Sequence, residues 1–291
     1  MTRWIIHEYA EIGSTQDEIR RVIDGETREN SAACPSPAHP KIVVRADKQT
    51  AGRGRANNVW RSEEGNFFAT FALAFPQNDP EFLKNAANYS FVAALSVSES
   101  LKSFLDDAAP YHGPAKLENS PHIQHKWPND VLINGQKIAG ILIEIYDPYI
   151  LIGVGVNLAH APALPGSLSP NSTSNSPSPA ATASLPATAL SHYAAPPPPS
   201  VFLRILSAQL DHFCGVLQHD GFAAIRSLWL KNAYGIGGPV TVRTPHEVFT
   251  GEFKDLEPDG ALRVFDPAQQ KIRKIYSADI FFNEAQDAAD H

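Results

Sequence analysis

Two arginines alternate with two glycines in the first quarter of this chain, in the run Gly52-Arg53-Gly54-Arg55. Each guanidinium offers a planar fork of N–H donors that fits a phosphate or a carboxylate. A glycine has no Cβ, so a ligand can approach the backbone closely. The run therefore predicts a loop that binds an anion, although a turn of this composition can also be an ordinary solvated loop.

A second group of charged residues is predicted to lie on a β-hairpin. The dipeptide Asn134-Gly135 is a favoured two-residue hairpin turn, and it joins two predicted strands, residues 125–133 and 137–145. Such a turn would pair Leu132 with Lys137, and Asp130 with Ala139. Side chains alternate between the faces of a strand and match across a pair, so the pairing assigns every side chain of the hairpin to a face.

One face of this hairpin would carry charge, namely Lys126, Asp130, Leu132 and Lys137. The other face is apolar and is predicted to pack in the core: Val131, Ile133 and Ile138. Two lysines and an aspartate are costly to bury without partners. A ligand carboxylate, phosphates and a metal ion would supply such partners, whereas a solvated face with a surface ion pair would need none.

Two glycines stand two residues apart in an apolar segment, as Gly153 and Gly155, with Asn157 at its end. In a strand both glycines face the same side. Glycine weakens a strand unless another group must lie close to the backbone. A flat ligand ring is one candidate for that group, and a bulge or close helix packing is the other.

Taken in order, these motifs resemble those of the biotin protein ligases. That family carries a G-R-G-R loop ending in tryptophan, then K-W-P-N-D, K-x-A-G and G-x-G-x-N, which match residues 52–60, 126–130, 137–140 and 153–157. The resemblance implies a two-step reaction. Biotin and ATP would give biotinyl-5′-AMP and pyrophosphate with the help of Mg²⁺. The biotin would then pass to a lysine of a biotin carboxyl carrier protein, from acetyl-CoA carboxylase or a related enzyme.

The resemblance also implies roles for single residues. Catalysis would involve Lys137, Arg55 and Lys126, and Asp130 would bind Mg²⁺. Biotin would contact Ser14, Thr15, Gln49, Arg53, Gly54, Arg55, Lys137, Gly153 and Gly155. ATP or the adenylate would contact Arg53, Arg55, Trp60, Lys126, Asn129 and Asn157. Ser14 could equally be a helix N-cap that pairs with Asp17. No tryptophan lies near residues 183–185, where an adenylate-covering loop is expected to rejoin the fold, so the side chain that covers adenine is left open.

Periodicity and turn residues predict an α+β fold with a mixed sheet. Strands are expected at residues 4–9, 41–46, 66–75 and 149–156, and helices at residues 14–23, 89–105, 201–217 and 222–234. Loops are expected at residues 29–40 and 110–124. Four further strands predict a small C-terminal β-barrel: residues 240–243, 248–254, 261–265 and 272–276.

The resemblance implies a class II synthetase-like catalytic domain at residues 1–235, an SH3-like domain at residues 236–283 and a tail at residues 284–291. The barrel is expected to close the site or to dock the carrier. Residues 161–200 are almost entirely Pro, Ser, Ala, Thr and Asn. Such a segment buries too little apolar surface to offset its ordering entropy, so we expect most of it to be a mobile insertion in the catalytic domain.

Composition excludes several classes of protein. A net charge of −7 gives no broad basic field for nucleic acid. The sequence before Trp4 leaves no room for the DNA-binding domain of some bacterial ligases, so we expect the monofunctional bacterial type. The two cysteines lie far apart and no apolar run could span a bilayer, which favours a cytoplasmic protein. The sequence leaves open whether it is a monomer or a homodimer.

Two other functions compete with biotin ligation. Lipoate and octanoyl transferases share the fold but lack the combination of a G-R-G-R loop with K-W-P-N-D. A non-catalytic vitamin-binding protein would be expected to have lost some of the charged residues that are intact here. A P-loop enzyme is excluded because the G-x4-G-K-[ST] motif does not occur.

Overall fold

The computed structural model describes residues 4–30, 40–55, 58–75, 85–108, 121–162 and 185–282, without the side chains of residues 26–30 and 107–108. The predicted loops therefore lie largely outside it, as residues 31–39 and 109–120. The same holds for residues 163–184 of the predicted insertion and for the whole of the predicted tail.

The N-terminal part, in which the resemblance implies catalysis, is built on a seven-stranded sheet in the order β1-β2-β3-β7-β6-β5-β4. Strands β1 and β2 are parallel and every other neighbouring pair is antiparallel, so the predicted mixed sheet is confirmed. The strands are β1 Trp4–Ile12, β2 Lys41–Gln49, β3 Phe67–Ala74, β4 Ile123–Lys126, β5 Asp130–Ile133, β6 Gln136–Tyr146 and β7 Tyr149–Val156.

Helices cover both faces of this sheet: α1 Thr15–Asn30, α2 Tyr89–Ala108 and α3 Pro199–Leu230. Residues next to one another on a strand point to opposite faces. Accordingly Ile42 and Val44 belong to the core under α1, while Val43 between them belongs to the core shared with α2 and α3. Helix α3 is broken at Gly221, whose φ is 75°, which agrees with the predicted break between residues 217 and 222.

The C-terminal part is a five-stranded antiparallel sheet in the order β11-β10-β9-β8-β12, as expected for a small SH3-like barrel. Its strands are β8 Pro239–Arg243, β9 Val248–Leu256, β10 Leu262–Asp266, β11 Lys271–Ile275 and β12 Asp279–Phe282. Sequence analysis missed β12, a four-residue strand with no turn signal before it. Barrel side chains such as Val242, Phe253 and Leu262 belong to the same apolar cluster as the catalytic core.

Two local predictions were wrong. Residues 125–133 do not form one strand, because β4 and β5 pair antiparallel around a turn with a cis peptide bond between Trp127 and Pro128. Helix α1 continues past residue 23 to Asn30. The described end of the predicted insertion is packed, since Ala189 and Leu190 are completely buried before α3 begins. The expectation that most of the insertion is mobile stays a prediction, because residues 163–184 lie outside the described residues.

Among the helices that the structure describes, none is long and apolar enough to cross a membrane.

Candidate active site

One cavity of about 630 Å³ lies between the catalytic sheet and the barrel. That volume suits a small-molecule substrate. Strands β6 and β7 form its floor, and residues 52–55 and 58–60, here called the arginine loop, form one wall. Every residue that the sequence predicted for the site lines this cavity: Ser14, Thr15, Gln49, Arg53, Gly54, Arg55, Trp60, Lys126, Asn129, Asp130, Lys137, Gly153, Gly155 and Asn157.

Lys126, Asp130 and Lys137 converge at one end of the cavity and are called here the lysine–aspartate cluster. Lys137 Nζ lies 2.7 Å from Asp130 Oδ1, and Lys126 Nζ lies 4.0 Å from Asp130 Oδ2. The short contact is an ion pair without the alignment of a hydrogen bond, so Asp130 Oδ1 has no hydrogen-bond partner. That oxygen can therefore still accept a donor.

The register that builds this cluster differs from the predicted one. Leu132 pairs with Lys137 as expected, but Asp130 pairs with Gly140 rather than Ala139, because the register shifts between Val131 and Leu132. A bulge of this kind places two residues of one strand against one of the other, so simple alternation fails on either side of it. Leu132 is buried completely and, unlike Asp130 and Lys137, does not line the cavity.

Burial dominates the electrostatics of Lys126. It lowers the pKa of this ammonium below its ordinary value, although the Asp130 carboxylate acts in the opposite direction. Lys137 and Arg55 lower the pKa further, since like charges disfavour protonation. Asp279 also lines the cavity and acts on Lys126, so two carboxylates stand against three cations. This end of the cavity therefore has an excess of positive charge and suits an anionic ligand.

The backbone of Lys137 is held on its outer side by residues 186–188. Lys137 N donates to Pro186 O over 2.7 Å, and Thr188 N donates to Lys137 O over 2.9 Å. Asn157 is held by the same segment, because its Nδ2 donates to Thr188 O over 3.0 Å. The described chain thus joins the sheet just after residues 183–185, where the loop was expected to rejoin it.

A polar network occupies the opposite end of the cavity. Thr15 donates twice to Gln49 Oε1, from its backbone N over 2.9 Å and from its hydroxyl over 3.1 Å. Thr70, which is fully buried, donates to the Thr15 hydroxyl over 2.9 Å. Ser14 Oγ accepts from Gln16 N over 3.3 Å and so caps α1, although not through Asp17 as the predicted capping box required.

Sequence analysis missed Gln16, which lines the cavity and is 3% exposed. Its Nε2 donates to Leu142 O over 3.3 Å, which leaves its buried Oε1 without a partner. The amide also explains Gly153, because a Cβ there would lie 2.7 Å from Gln16 Nε2. The available signal was its place directly after Thr15, in the first turn of α1.

The Trp60 indole explains two more glycines on the cavity floor. A Cβ on Gly155 would lie 2.5 Å from the indole, and one on Gly140 would lie 2.7 Å from it. Lys137 Nζ lies 5.4 Å from the centre of the Trp60 ring. The groups that require these glycines are thus side chains of the protein itself, packed against the strand backbone.

The arginine loop is a small hairpin. Trp60 N donates to Gly52 O over 2.9 Å, and Gly54 N donates to Asn58 O over 2.7 Å. Arg55 Nη1 lies 3.3 Å from Asn129 Oδ1, so this side chain faces the lysine–aspartate cluster. Asn57, which stands where many ligases carry glycine, lies outside the described residues.

The barrel contributes residues to the cavity that sequence analysis did not predict. Asp279 and Phe281 of the missed strand β12 line it, as does Arg243 of β8. Arg55 Nη2 lies 3.4 Å from Ser277 Oγ, just before that strand. Trp127 Nε1 donates to Gly260 O over 3.1 Å, so the barrel also contacts the turn that carries Asn129.

Comparison with known proteins indicates the same family as the sequence motifs. Residues 22–157 match the biotin/lipoate A/B protein ligase family, and residues 235–283 match the biotin protein ligase C-terminal domain. The chain is 34% identical over 244 residues to the biotin–[acetyl-CoA-carboxylase] ligase of Paracoccus denitrificans, covering 82% of this chain and 89% of that one. The chain belongs to the biotin protein ligase family.

Other relatives agree with this assignment to the biotin protein ligases. The bifunctional ligase/repressor BirA of Bacillus subtilis is 32% identical over 260 residues, which cover 82% of this chain and 65% of the relative. The biotin protein ligase of Aquifex aeolicus in complex with biotin and ATP has a TM-score of 0.66 at 20% identity, covering 96% of this chain and 99% of that chain. At that identity the likeness concerns the fold. The expected family, fold class and type of enzyme are thus confirmed.

Proposed function

We propose that this protein activates biotin with ATP, releases pyrophosphate and transfers the biotin to a lysine of a biotin carboxyl carrier protein. The observation that carries the proposal is one cavity with two unlike ends. One end is a neutral hydrogen-bonding network around Thr15 and Gln49, and the other is the lysine–aspartate cluster. Biotin has the same polarity, with a neutral urea at one end and a carboxylate at the other.

The neutral end fits a cyclic urea, which has two N–H donors and one carbonyl acceptor. Gln16 Oε1 is a buried acceptor without a partner, and such groups cost free energy until a donor reaches them. Gln49 Nε2 is a donor that presently reaches Ser62 Oγ over 3.3 Å. Together with the Thr15 hydroxyl these groups can satisfy both edges of the urea. The Gln16 amide and the Trp60 indole, which the strand glycines admit against the backbone, would line the space for the ring.

The charged end would bring two repelling anions together. A biotin carboxylate oxygen attacks the α-phosphorus of ATP, the bond to the bridging oxygen breaks, and pyrophosphate leaves. Lys137, Arg55 and Lys126 offset the negative charge that gathers at this centre. Fixed cations in a partly buried site stabilise such a transition state without reorganisation, which is a large source of catalytic rate.

Asp130 is the group that fits the Mg²⁺ implied by the family. Its side chain is 14% exposed, and its Oδ1 lacks a hydrogen-bond partner. Within the described ranges no three His, Cys, Asp or Glu side chains cluster, so a metal here would rely on at most two carboxylates and on phosphate oxygens. That set is usual for Mg²⁺, which would neutralise phosphate charge when bound.

In the second step the amine of the carrier lysine attacks the acyl carbon of the mixed anhydride. An amide bond forms, the bond from the acyl carbon to the phosphate oxygen breaks, and AMP leaves with the electron pair. Because Lys137 and Arg55 face this centre, they would also hold the leaving phosphate. The neighbouring barrel would form part of the surface that the carrier approaches.

One assay tests both steps. The protein is incubated with labelled biotin, ATP and Mg²⁺, with and without a biotin carboxyl carrier domain, and pyrophosphate and labelled carrier are followed. We expect pyrophosphate to depend on biotin, and stable label to appear on one carrier lysine. A second arm replaces biotin with lipoate or octanoate. Turnover with these acids but not with biotin would refute the proposal, as would biotin binding without pyrophosphate release.

A further inference from the structure

The two arginines of the arginine loop have different partners. Arg53 reaches α1, where its Nη1 lies 3.0 Å from Asp17 Oδ2 and its Nη2 lies 2.8 Å from Asp17 Oδ1. Two parallel N–H···O bonds to one carboxylate are the most specific geometry an arginine can make. The guanidinium of Arg53 is therefore already occupied by a charged partner of the protein.

Arg55 has no such partner among the described residues. Its hydrogen bonds go to neutral groups, Asn129 Oδ1 over 3.3 Å and Ser277 Oγ over 3.4 Å. Both contacts are long, and the positive charge of Arg55 contributes to the lowered pKa of Lys126. A ligand anion could replace these weak contacts at little cost, whereas at Arg53 it would have to displace a carboxylate.

Asp17 is well placed to hold the loop. It lies in the first turn of α1, where the helix dipole favours a negative charge. It follows Ser14, Thr15 and Gln16, the residues that α1 presents to the cavity. The Asp17–Arg53 pair therefore ties the arginine loop to the helix that lines the neutral end of the site.

We infer that Arg53 is a positioning residue whose guanidinium stays on Asp17 when ligand is bound, while Arg55 is the arginine that meets the carboxylate and phosphate. The inference rests on the proposed function. It departs from the resemblance, which gave both arginines a direct contact with biotin or the adenylate. Asp17 becomes part of the machinery that orders the loop, a role that no motif assigned to it.

A charge exchange tests this inference in the full-length protein. The variants are Asp17→Asn, Asp17→Arg, Arg53→Glu and the double variant Asp17→Arg/Arg53→Glu. Glu18→Gln is the matched control, since it removes a carboxylate from the same helical turn without touching the cavity. Biotin affinity and dissociation rate, the kcat and the KM for ATP of pyrophosphate release, and the thermal midpoint are measured for each.

We expect Asp17→Asn to weaken biotin affinity roughly two- to fivefold, the range for an exposed ion pair, since Asp17 and Arg53 are each 40% exposed. The loss should appear in the dissociation rate, leave the KM for ATP unchanged and shrink at about 0.5 M salt. The variants Asp17→Arg and Arg53→Glu each place two like charges side by side, so they should lose more biotin affinity than Asp17→Asn. The biotin affinity of the double variant should return to within about twofold of the wild-type value. The biotin affinity of Glu18→Gln should equal that of the wild type.

If Arg53 instead meets the ligand anion, Arg53→Glu stays defective in the double variant and Asp17→Asn binds biotin as tightly as the wild type or more tightly. Either result overturns the inference. Should the exchanged protein not fold, a cycle of Asp17→Asn and Arg53→Gln replaces it, and additive effects would contradict the pairing. A wild type that neither binds biotin nor releases pyrophosphate would instead refute the proposed function.

Discussion

The two charged regions that face each other across the cavity hold their charges in different ways. In the lysine–aspartate cluster the side chains are 14–31% exposed and stand on or beside paired strands. In the arginine loop, Arg53 is 40% exposed, as is its partner Asp17 in the first turn of α1. Charges on strands are fixed before the ligand arrives, whereas charges on a loop can follow it.

This difference suggests that the lysine–aspartate cluster and the arginine loop contribute to different steps of the reaction. Preorganised charges contribute most to a transition state, because nothing has to be reoriented during the reaction. Adaptable charges contribute to retention, since they close around a ligand and open to release it. We therefore expect substitutions in the cluster to affect the rate of chemistry, and substitutions in the loop to affect how long biotin and its adenylate stay bound.

The largest effect is expected for Lys137→Ala. Removing a preorganised cation from the reacting centre should lower kcat for pyrophosphate release by about 10²–10³-fold. The side chain is 31% exposed, so the thermal midpoint should stay within a few degrees of the wild type. Lys48→Ala is the control, because Lys48 pairs with Glu11 outside the cavity. Pyrophosphate release at the wild-type rate from folded Lys137→Ala would abolish the distinction between the regions.

Acid should lower the folding stability of the protein through His125, a buried residue of the strand that carries Lys126 of the cluster. Burial lowers the pKa of His125, which precedes Lys126 in β4, to about 4. An unfolded histidine has a pKa of about 6.5, so between these values the unfolded chain binds the extra proton and stability falls as pH falls. The loss should approach about 3 kcal/mol at pH 4.

Unfolding at several pH values checks this prediction. His125→Gln should flatten the dependence between pH 6.5 and 4, while the exposed His219→Gln should not. A His125→Gln protein with the full wild-type slope would show that other groups cause the acid sensitivity.

Gly155→Ala probes the contact between the two regions, since a Cβ there would lie 2.5 Å from the Trp60 indole at the end of the arginine loop. Displacing the indole should weaken biotin binding about tenfold, in line with the 1–3 kcal/mol typical of overpacking. Gly215→Ala is the control, because a Cβ on Gly215 meets no atom within 4 Å. Calorimetry on both proteins distinguishes the outcomes, and equal biotin affinities would mean that the floor tolerates the methyl group.

The smallest effect on chemistry is expected for Arg55→Gly. Pyrophosphate release should fall by less than in Lys137→Ala, whereas labelling of bystander lysines should rise several-fold because the adenylate escapes. The ratio of bystander to carrier label, measured at equal pyrophosphate release, is the readout. A ratio equal to that of the wild type would show that Arg55 acts in chemistry rather than in retention.

Much of the fold was readable from sequence because its signals are local. The Asn134-Gly135 turn forms as predicted, with φ values of 50° and 75°, and β7 has the predicted limits. Buried strands and amphipathic helices each carry a periodicity that does not depend on distant partners. Most of the motifs that identified the family lie on these elements, so the predicted part of the cavity lining could be read from sequence, whereas Gln16 and the barrel residues could not.

The register and the pairing of the strands were harder to predict from the sequence. The shift that sets Asp130 against Gly140 has no local signature, since one inserted residue reverses the alternation on which the prediction depended. Strand β12 escaped notice because four residues carry too little periodicity, and its partner β8 lies more than thirty residues earlier in the chain.

The sequence by itself determined the element types, the order of the motifs and the motif residues that line the cavity. The tertiary structure decided the partners: Asp17 for Arg53, Gly260 for Trp127, and Gln16 and Trp60 for the strand glycines. The physical reason is that propensity and hydrophobic period act over a few residues. A hydrogen bond or a missing Cβ instead depends on which distant atom lies within a few ångströms, and folding alone brings those atoms together.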